Sequence, residues 1–411
     1  MIATWAGTHV FRAPALVDAT TVEAVQRVVR EGGPVRALGT RHSFHDLADT
    51  TGTLVSVTAI PFDAVLDVER REVTVGAGAR YGVLAAWLEE RGWALHNLGS
   101  LPHISIGGAT ATGTHGSGDG NGGLATAVRA FEYVDATGDL VRVERSDADF
   151  PPLAVGLGAF GIVTRLTLAV QPTYLVRQTV TQGQFTWDEL LADPEAVTGS
   201  AYSVSVFTTW TGDVAGDVWR KSVIDPREYP LDGYDQHRVP VVPLAGSTDN
   251  LTRQNGAPGP WCEQLPHFRL DSEPSFGDEI QSEYFVPRGD AAAALTAVRA
   301  LAADLEPHLV VSELRTVAAD DLWLSGAFGR DTLAIHFTWR NHPEAVRALL
   351  PRVEAALAPF GARPHWGKWH TFDAESIARV VPRLTEARAV FDRLDPEGRF
   401  ANDHLRRLGV R

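Results

Sequence analysis

Few stretches of this sequence gather groups able to do chemistry, and they lie far apart in the chain. In Leu38-Gly39-Thr40-Arg41-His42-Ser43-Phe44 an apolar run meets a glycine and then presents a histidine among small polar groups. Between Gly99 and Gly123 glycine, threonine and serine dominate and charge nearly vanishes. Such a stretch has little side-chain mass for a core of its own, but it can bring backbone N–H groups close to a ligand. Two backbone-rich loops suit a pyrophosphate, whose charge can be met by N–H groups in place of lysine. Downstream, Glu313-Leu314-Arg315-Thr316 sits in an apolar run, and period-two geometry puts Glu313 and Arg315 on one face of a strand. In His365-Trp366-Gly367-Lys368-Trp369-His370, ring-bearing and charged residues crowd around one glycine, where a buried lysine would be a fixed positive charge. Taken singly, each has an ordinary alternative: a turn histidine bonded to backbone, or an exposed cross-face ion pair.

Other motifs lead nowhere. Gly156-Leu157-Gly158-Ala159-Phe160-Gly161 matches G-x-G-x-x-G, but a strand-like run, Ile162 to Leu168, follows it where the dinucleotide fingerprint needs a helix. There is no G-x-x-x-x-G-K-[ST] and no G-x-S-x-G. The 14 histidines form neither H-E-x-x-H nor a Cys/His zinc pattern, so no metal is expected.

The elements that must hold these groups alternate in kind. A chain of 411 residues suggests two or three domains. In the first third, Thr20 and Glu23 suggest a capping box ahead of Val22, Val25, Val28 and Val29 at helical spacing. Strands are expected at Val35 to Leu38, Val128 to Asp135, Leu140 to Glu144 and Ile162 to Val170, with a hairpin over Ala64 to Val68 and Glu72 to Val75. Val83, Leu84, Trp87 and Leu88 predict a helix closed by Gly92. After Gln171-Pro172 come longer strands (Tyr202 to Phe207, Ile280 to Val286, Val310 to Thr316, Thr332 to Trp339) and helices at Ala291 to Leu305 and Pro343 to Leu357. Residues 224 to 276, rich in proline and glycine, read as irregular, and helices return at Ala374 to Val380 and Leu384 to Leu394.

Composition narrows the classes. Hydrophobic residues at 44% and charged residues at 21% are ordinary for a globular protein. A net charge of -14 argues against a nucleic-acid or anionic-membrane surface. The one cysteine, Cys262, forbids an internal disulfide and fits a reducing compartment. Met1-Ile2-Ala3-Thr4-Trp5 opens no signal peptide, and no apolar run reaches the ~18 residues of a span. A soluble cytoplasmic protein, binding no nucleic acid or membrane and expected to be a monomer, is the resulting expectation.

Taken together, these residues resemble the alditol and xylitol oxidases, within the vanillyl-alcohol-oxidase-type FAD-binding flavoproteins, with sugar-lactone oxidases as more distant relatives. The resemblance runs from Trp5-Ala6-Gly7 to Asp395-Pro396-Glu397-Gly398-Arg399-Phe400-Ala401-Asn402. Its most specific segments are Ser100-Leu101-Pro102-His103-Ile104-Ser105, Thr112 to Gly118, Pro258-Gly259-Pro260-Trp261, Glu313 to Asp320 and Arg363 to Lys368. It implies an α+β, two-domain PCMH/vanillyl-alcohol-oxidase-type fold: an FAD domain of residues 1–171 rejoined by 375–411, and an antiparallel-sheet substrate domain, 172–374, flanked by helices. It implies FAD joined covalently through His42. Gly39, Thr40, Arg41, Ser43, Phe44, His45, Ser100, Ser105, Gly108, Thr112, Gly113, Thr114, His115, Val163 and His365 map to FAD contacts. Ser100, Gln281, Glu313, Arg315, Thr338 and Lys368 map to the substrate pocket, with Arg315 and Lys368 as the catalytic cations.

The activity implied is oxidation of the terminal hydroxyl of a small polyol, with hydride passing to flavin N5 and then to O2. The alternatives are a sugar-lactone oxidase or flavin-dependent polyol dehydrogenase on the same fold, or a polyol-binding protein without catalysis. Two positions depart from the family: Arg41 stands where glycine is usual, and Gly99 where alanine is common beside the flavin. The missing methyl at Gly99 leaves more room for oxygen and favours oxidase over dehydrogenase.

Overall fold

In the computed structural model, which describes residues 2–225, 249–254, 256–273 and 278–411, the fold is α+β. Among the described residues three sheets and a two-stranded ribbon carry the architecture. Ala15–Asp18, Thr53–Ser56 and Val35–Leu38 form a parallel three-stranded sheet. Val65–Asp67, Glu72–Gly76, Ile162–Ala169, Val128–Val134 and Leu140–Glu144 follow one another in an antiparallel five-stranded sheet. The ribbon pairs Gln171–Pro172 with Trp93–Ala94.

The eight-stranded sheet sets the site. Its antiparallel order is Pro258–Pro260, Leu175–Thr186, Val214–Ile224, Ser203–Thr208, Leu309–Val317, Thr332–Arg340, Glu279–Pro287 and Arg363–Pro364. Strand alternation gives it two unlike faces. Val204, Val206, Ile280, Tyr284, Val286, Leu314, Ile335, Phe337 and Trp339 bury themselves against the helices Trp187–Ala192, Ala291–Arg299 and Pro343–Leu357 in one core cluster. Each large side chain so buried contributes about 1.5–3 kcal/mol. The opposite face carries Ser205, Gln281, Glu283, Glu313, Arg315, His336 and Thr338, all buried. Polar groups can occupy an interior face only where they find partners, and each of these side chains has at least one hydrogen bond.

Most expected elements are present within a residue or two. The first helix, Val22–Glu31, is capped by Thr21, whose Oγ1 accepts from the Ala24 N–H at 3.2 Å, one residue beyond the expected Thr20. Adjacent threonines are equally good caps by type, and Glu23 then falls one position short of closing a box. The expected Ala291 to Leu305 helix is two, Ala291–Arg299 and Ala302–Leu305. The Gly99–Gly123 stretch contains a short helix, Ile106–Ala111, and the long strands Leu175–Thr186 and Val214–Ile224 were not anticipated. The irregular stretch expected over 224–276 lies largely outside the described residues. Its described part includes the strand Pro258–Pro260 and the turn of helix Trp261–Gln264. The G-x-G-x-x-G segment follows the helix Phe150–Ala154 and precedes a strand, the reverse of a dinucleotide fold.

The C-terminal segment lies against the first strands. Arg399 O accepts from the Val35 N–H at 2.9 Å. Asn402 Nδ2 donates to the carbonyls of Leu47 at 2.9 Å and Asp49 at 2.8 Å. Buried Arg36 donates to the carbonyls of Gly158, Phe400, Leu47 and Leu157.

Candidate functional site

One continuous cleft runs from Arg36 and Leu157, beneath the parallel sheet, to Phe207 and Thr338 on the eight-stranded sheet. Its first half is built by the loop after Val35–Leu38. A Cβ at Gly39 would sit 2.4 Å from Ser105 Oγ, so the loop can approach Ser105 only with glycine there. Thr40 and Ser105 then lock together: the Ser105 N–H donates to Thr40 Oγ1 at 3.0 Å and the Thr40 N–H to Ser105 Oγ at 3.4 Å. Arg41 adopts φ 66°. That left-handed backbone suits glycine and costs an L-residue roughly 1–2 kcal/mol.

His42 follows. Its ring stacks on Trp5 with centroids 5.3 Å apart and planes at 17°. Both its ring nitrogens are buried without a hydrogen-bond partner. Burial, reinforced by His103, Lys368 and Arg80, pushes its pKa down to about 3, so the imidazole is neutral at ordinary pH. Farther along the loop, the Leu47 N–H donates to His45 Nδ1 at 3.2 Å, and His45 stacks on His404 at 4.3 Å.

The second half is the polar sheet face. Register places Gln281 opposite Thr338 and Glu283 opposite His336, while Glu313 also faces His336 from the other side. Glu283 is the hub: Arg315 donates to it at 2.6 Å, His115 Nε2 lies at 3.1 Å and His336 Nδ1 at 3.3 Å. Burial alone would raise the Glu283 carboxyl, but Arg315, His115 and His336 outweigh it and hold it well below the ordinary range. Glu313, 3.5 Å from Arg315 Nε, is likewise kept ionised against its burial by Arg315 and His267. Arg315 also donates to Ser100 Oγ at 3.3 Å, which joins the glycine-rich loop to the sheet.

Lys368 completes the set. Its Nζ donates to Gln281 Oε1, and Gln281 Nε2 donates to Glu279. Burial pushes Lys368 down to about 8, with Glu283 opposing and Arg315 assisting. Three carboxylates (Glu279, Glu283, Glu313) and three cations (Lys221, Arg315, Lys368) thus share one interior face, a balance that keeps the interior near neutral.

Of the residues anticipated from sequence, Gly39 to His45, Ser100, Ser105, Gly108, Thr112, Thr114, His115, Val163, Gln281, Glu313, Arg315, Thr338, His365 and Lys368 all line this cleft. Gly113 does not. Its φ of 68° turns the chain between Thr112 and Thr114. Glu283, His336, His267 and Lys221 were missed. For Glu283 and His336 the signal was present, since each lies two residues from an anticipated partner on the same strand face. Two groups, His45-Asp46-His404 and His115-Glu283-His365, have ligand-type atoms within 4.8 Å of one another. Each carboxylate already carries an arginine, Arg407 at 2.9 Å and Arg315 at 2.6 Å, which occupies a cation's place.

The donor set fits a flavin cofactor. The cleft begins in backbone-rich loops, and at its midpoint stands an imidazole with nothing bonded to either nitrogen. Comparison with known proteins agrees. An FAD binding domain model matches residues 13–144, and a D-arabinono-1,4-lactone oxidase model matches 276–408. The chain is 42% identical to an alditol oxidase of a Streptomyces species over 99% of this chain and 98% of that protein. It is 29% identical to an L-gulono-1,4-lactone dehydrogenase of Mycobacterium tuberculosis over 98% of each. A solved cholesterol oxidase from B. sterolicum superposes with a TM-score of 0.80 over 99% of this chain and 96% of that one, at 15% identity.

Proposed function

The chain belongs to the alditol oxidase family of FAD-binding flavoproteins, and from that premise we propose that it oxidises the terminal primary hydroxyl of alditols such as xylitol and sorbitol to the aldose. The observation that carries this reading is the facing of two halves of one cleft. A neutral, unpartnered His42 stands on the loop side, and two cations set among hydroxyl-binding groups stand on the sheet side. FAD supplies hydride acceptance at N5 and its return to O2 as hydrogen peroxide.

The protein's own groups do the rest. His42 supplies a lone pair on a neutral ring, the form able to hold the flavin 8α-carbon covalently. Ser105, Thr40 and the Thr112 to His115 turn present backbone and hydroxyl groups to the cofactor. A polyol offers hydroxyls and little apolar surface, so its pocket needs convergent donors and acceptors. Ser100, Gln281, Glu313 and Thr338 supply them. Arg315 and Lys368 lower the cost of negative charge developing on the hydroxyl oxygen. Fixed cations out of water do this without reorganising, and one such group is worth about 100- to 1,000-fold in rate. The FAD-binding unit is residues 1–171 with 375–411, and the substrate unit is 172–374. We read the protein as a cytoplasmic monomer whose partners are a small polyol and O2. No described helix is long and apolar enough to cross a membrane.

The test has two arms. Acid-denatured protein should keep its yellow colour on the polypeptide, whereas colour that separates freely removes the His42 link. Oxygen uptake should be faster with xylitol than with a sugar lactone. Faster turnover of a lactone would transfer the assignment to the sugar-lactone oxidases, the reading that the 276–408 match favours.

A further inference from the structure

Lys221 and His267 have no part in the chemistry above, yet both are buried beside it. Lys221 is 1% exposed, and a lysine taken out of water is costly unless its charge is put to use. Its Nζ donates to the Leu265 carbonyl and to His267 Nδ1, the latter at 2.9 Å. The other nitrogen of that ring, Nε2, lies 2.7 Å from Glu313 Oε1. The ring is boxed edge-on by Phe207 at 5.5 Å and Trp219 at 5.3 Å, which fixes its plane. Its backbone is pinned as well, by the His267 N–H donating to the Ser100 carbonyl at 3.1 Å.

An ammonium has donors only, so the Nδ1 lone pair must face it. A neutral ring then carries its one proton on Nε2 and donates it to Glu313. Lys221 on one side and the acceptor-only Glu313 carboxylate on the other thus call for the same tautomer of His267, and the ammonium behind the ring strengthens the hydrogen bond that Nε2–H gives to Glu313. We propose that Lys221 and His267 are positioning residues for Glu313: they hold its carboxylate ionised and anchored through Oε1, so that Oε2 accepts a hydroxyl of the polyol chain. This rests on the polyol-oxidase reading and deepens it by assigning the acceptor that recognises the substrate.

The charged groups around the pair are Glu313 and Arg315, with His336 beside Glu313 and Glu283 on the far side of Arg315. Burial, then Lys221, keeps His267 down at about 4, so the ring is neutral at working pH. Burial also brings Lys221 down to about 7, against the attraction of Glu313. Below that pH the ammonium enforces the Nε2–H form. Above it the positive charge behind the ring is lost while Glu313 still calls for Nε2–H, so the ring donates a weaker hydrogen bond to the carboxylate.

The experiment follows the holoenzyme from about pH 6 to about 9, recording KM and kcat for xylitol, and reads the ring nitrogens of 15N-labelled His267 by NMR. At about pH 6 the native enzyme should have a KM about tenfold below that of Lys221→Met, the worth of one charge-assisted hydrogen bond. The ring should show Nε2–H at the acid end. In Lys221→Met, KM should be high at every pH and kcat little changed, with the ring still Nε2–H against Glu313. Equal KM in the native enzyme and Lys221→Met at about pH 6, or an Nδ1–H ring in the native enzyme at acid pH, overturns the proposal. Should Lys221→Met fail to fold, the spectrum of the native holoenzyme decides alone. A protein that oxidises no polyol but shows the Nε2–H ring keeps the triad and sinks the functional reading; full polyol activity with an Nδ1–H ring does the opposite.

Discussion

Glu283 and Arg315 are the best place to test whether the interior charges act as a unit. The perturbation is a double-mutant cycle with Glu283→Gln, Arg315→Met and both together. The pair is buried, at 1% and 8% side-chain exposure, with 2.6 Å between the charged atoms. At an effective dielectric near 20, unit charges about 4 Å apart interact by about 4 kcal/mol. Removing one member of a buried pair typically costs about 3–5 kcal/mol, because the other charge is left unpaired. Glu283→Gln leaves Arg315 with Glu313 at 3.5 Å and removes the acceptor shared by His115 and His336. Each single variant should therefore lose about 3–5 kcal/mol of unfolding free energy, and the double variant should cost about 2–4 kcal/mol less than their sum. Urea unfolding of the holoprotein followed by tryptophan fluorescence measures this. Anaerobic flavin bleaching by xylitol should slow about 100-fold in Glu283→Gln, since Arg315 loses its aim. Strictly additive costs, or a Glu283→Gln variant as stable and as fast as the native enzyme, would refute the reasoning.

Three further outcomes are expected. The flavin-reduction rate should fall as pH rises through about 8, where Lys368 loses its proton. Between that value and the ordinary 10.5 the unfolded chain binds more protons, so this group makes stability rise with pH in the same window; a rate flat to pH ~10 removes Lys368 from the chemistry. In Gly99→Ala the new methyl would lie 3.5 Å from the His115 carbonyl and 3.7 Å from Thr114 Cγ2, ordinary contacts, so folding and flavin reduction should be unchanged while reoxidation by O2 slows. Stopped-flow mixing of reduced enzyme with oxygen checks it, and an unaltered reoxidation rate denies oxygen a path there. Arg41→Gly should relieve the φ of 66° and, after the entropy cost of glycine, stabilise by about 0.5–1 kcal/mol in thermal unfolding; a loss of stability would show that the arginine is held by more than its 3.4 Å bond to Ala3 O.

How much of this could be seen in the sequence varies with the range of the interaction. Glu313 with Arg315 was legible because strand periodicity is local. The same period would have given Glu283 from Gln281 and His336 from Thr338, had the strands' inward face been known to be polar. Amphipathic reasoning assumes the reverse, and here both faces of the sheet are interior. Lys221 and His267 were invisible for another reason. Lys221 lies in a strand, Val214–Ile224, with exposed Val214 and Val223 blurring its alternation, and His267 lies in a stretch without period. Only the fold brings residues 46 positions apart to 2.9 Å. The Thr20 and Thr21 misplacement is of the usual kind, since a cap is chosen by backbone angles that residue type does not specify.

The contact of residues 399–411 with the first strands and loops has a consequence for the cofactor's hold. Asn402 holds the carbonyls of the loop that carries His42's neighbours, Phe400 takes a bond from Arg36, and Arg411 reaches the Ala159 carbonyl at 2.9 Å. Arg36 and Leu47 line the cleft, so residues 399–411 brace its wall from behind without entering it. Removing them should loosen that wall and the hold on the cofactor while every cleft-lining side chain stays in the chain.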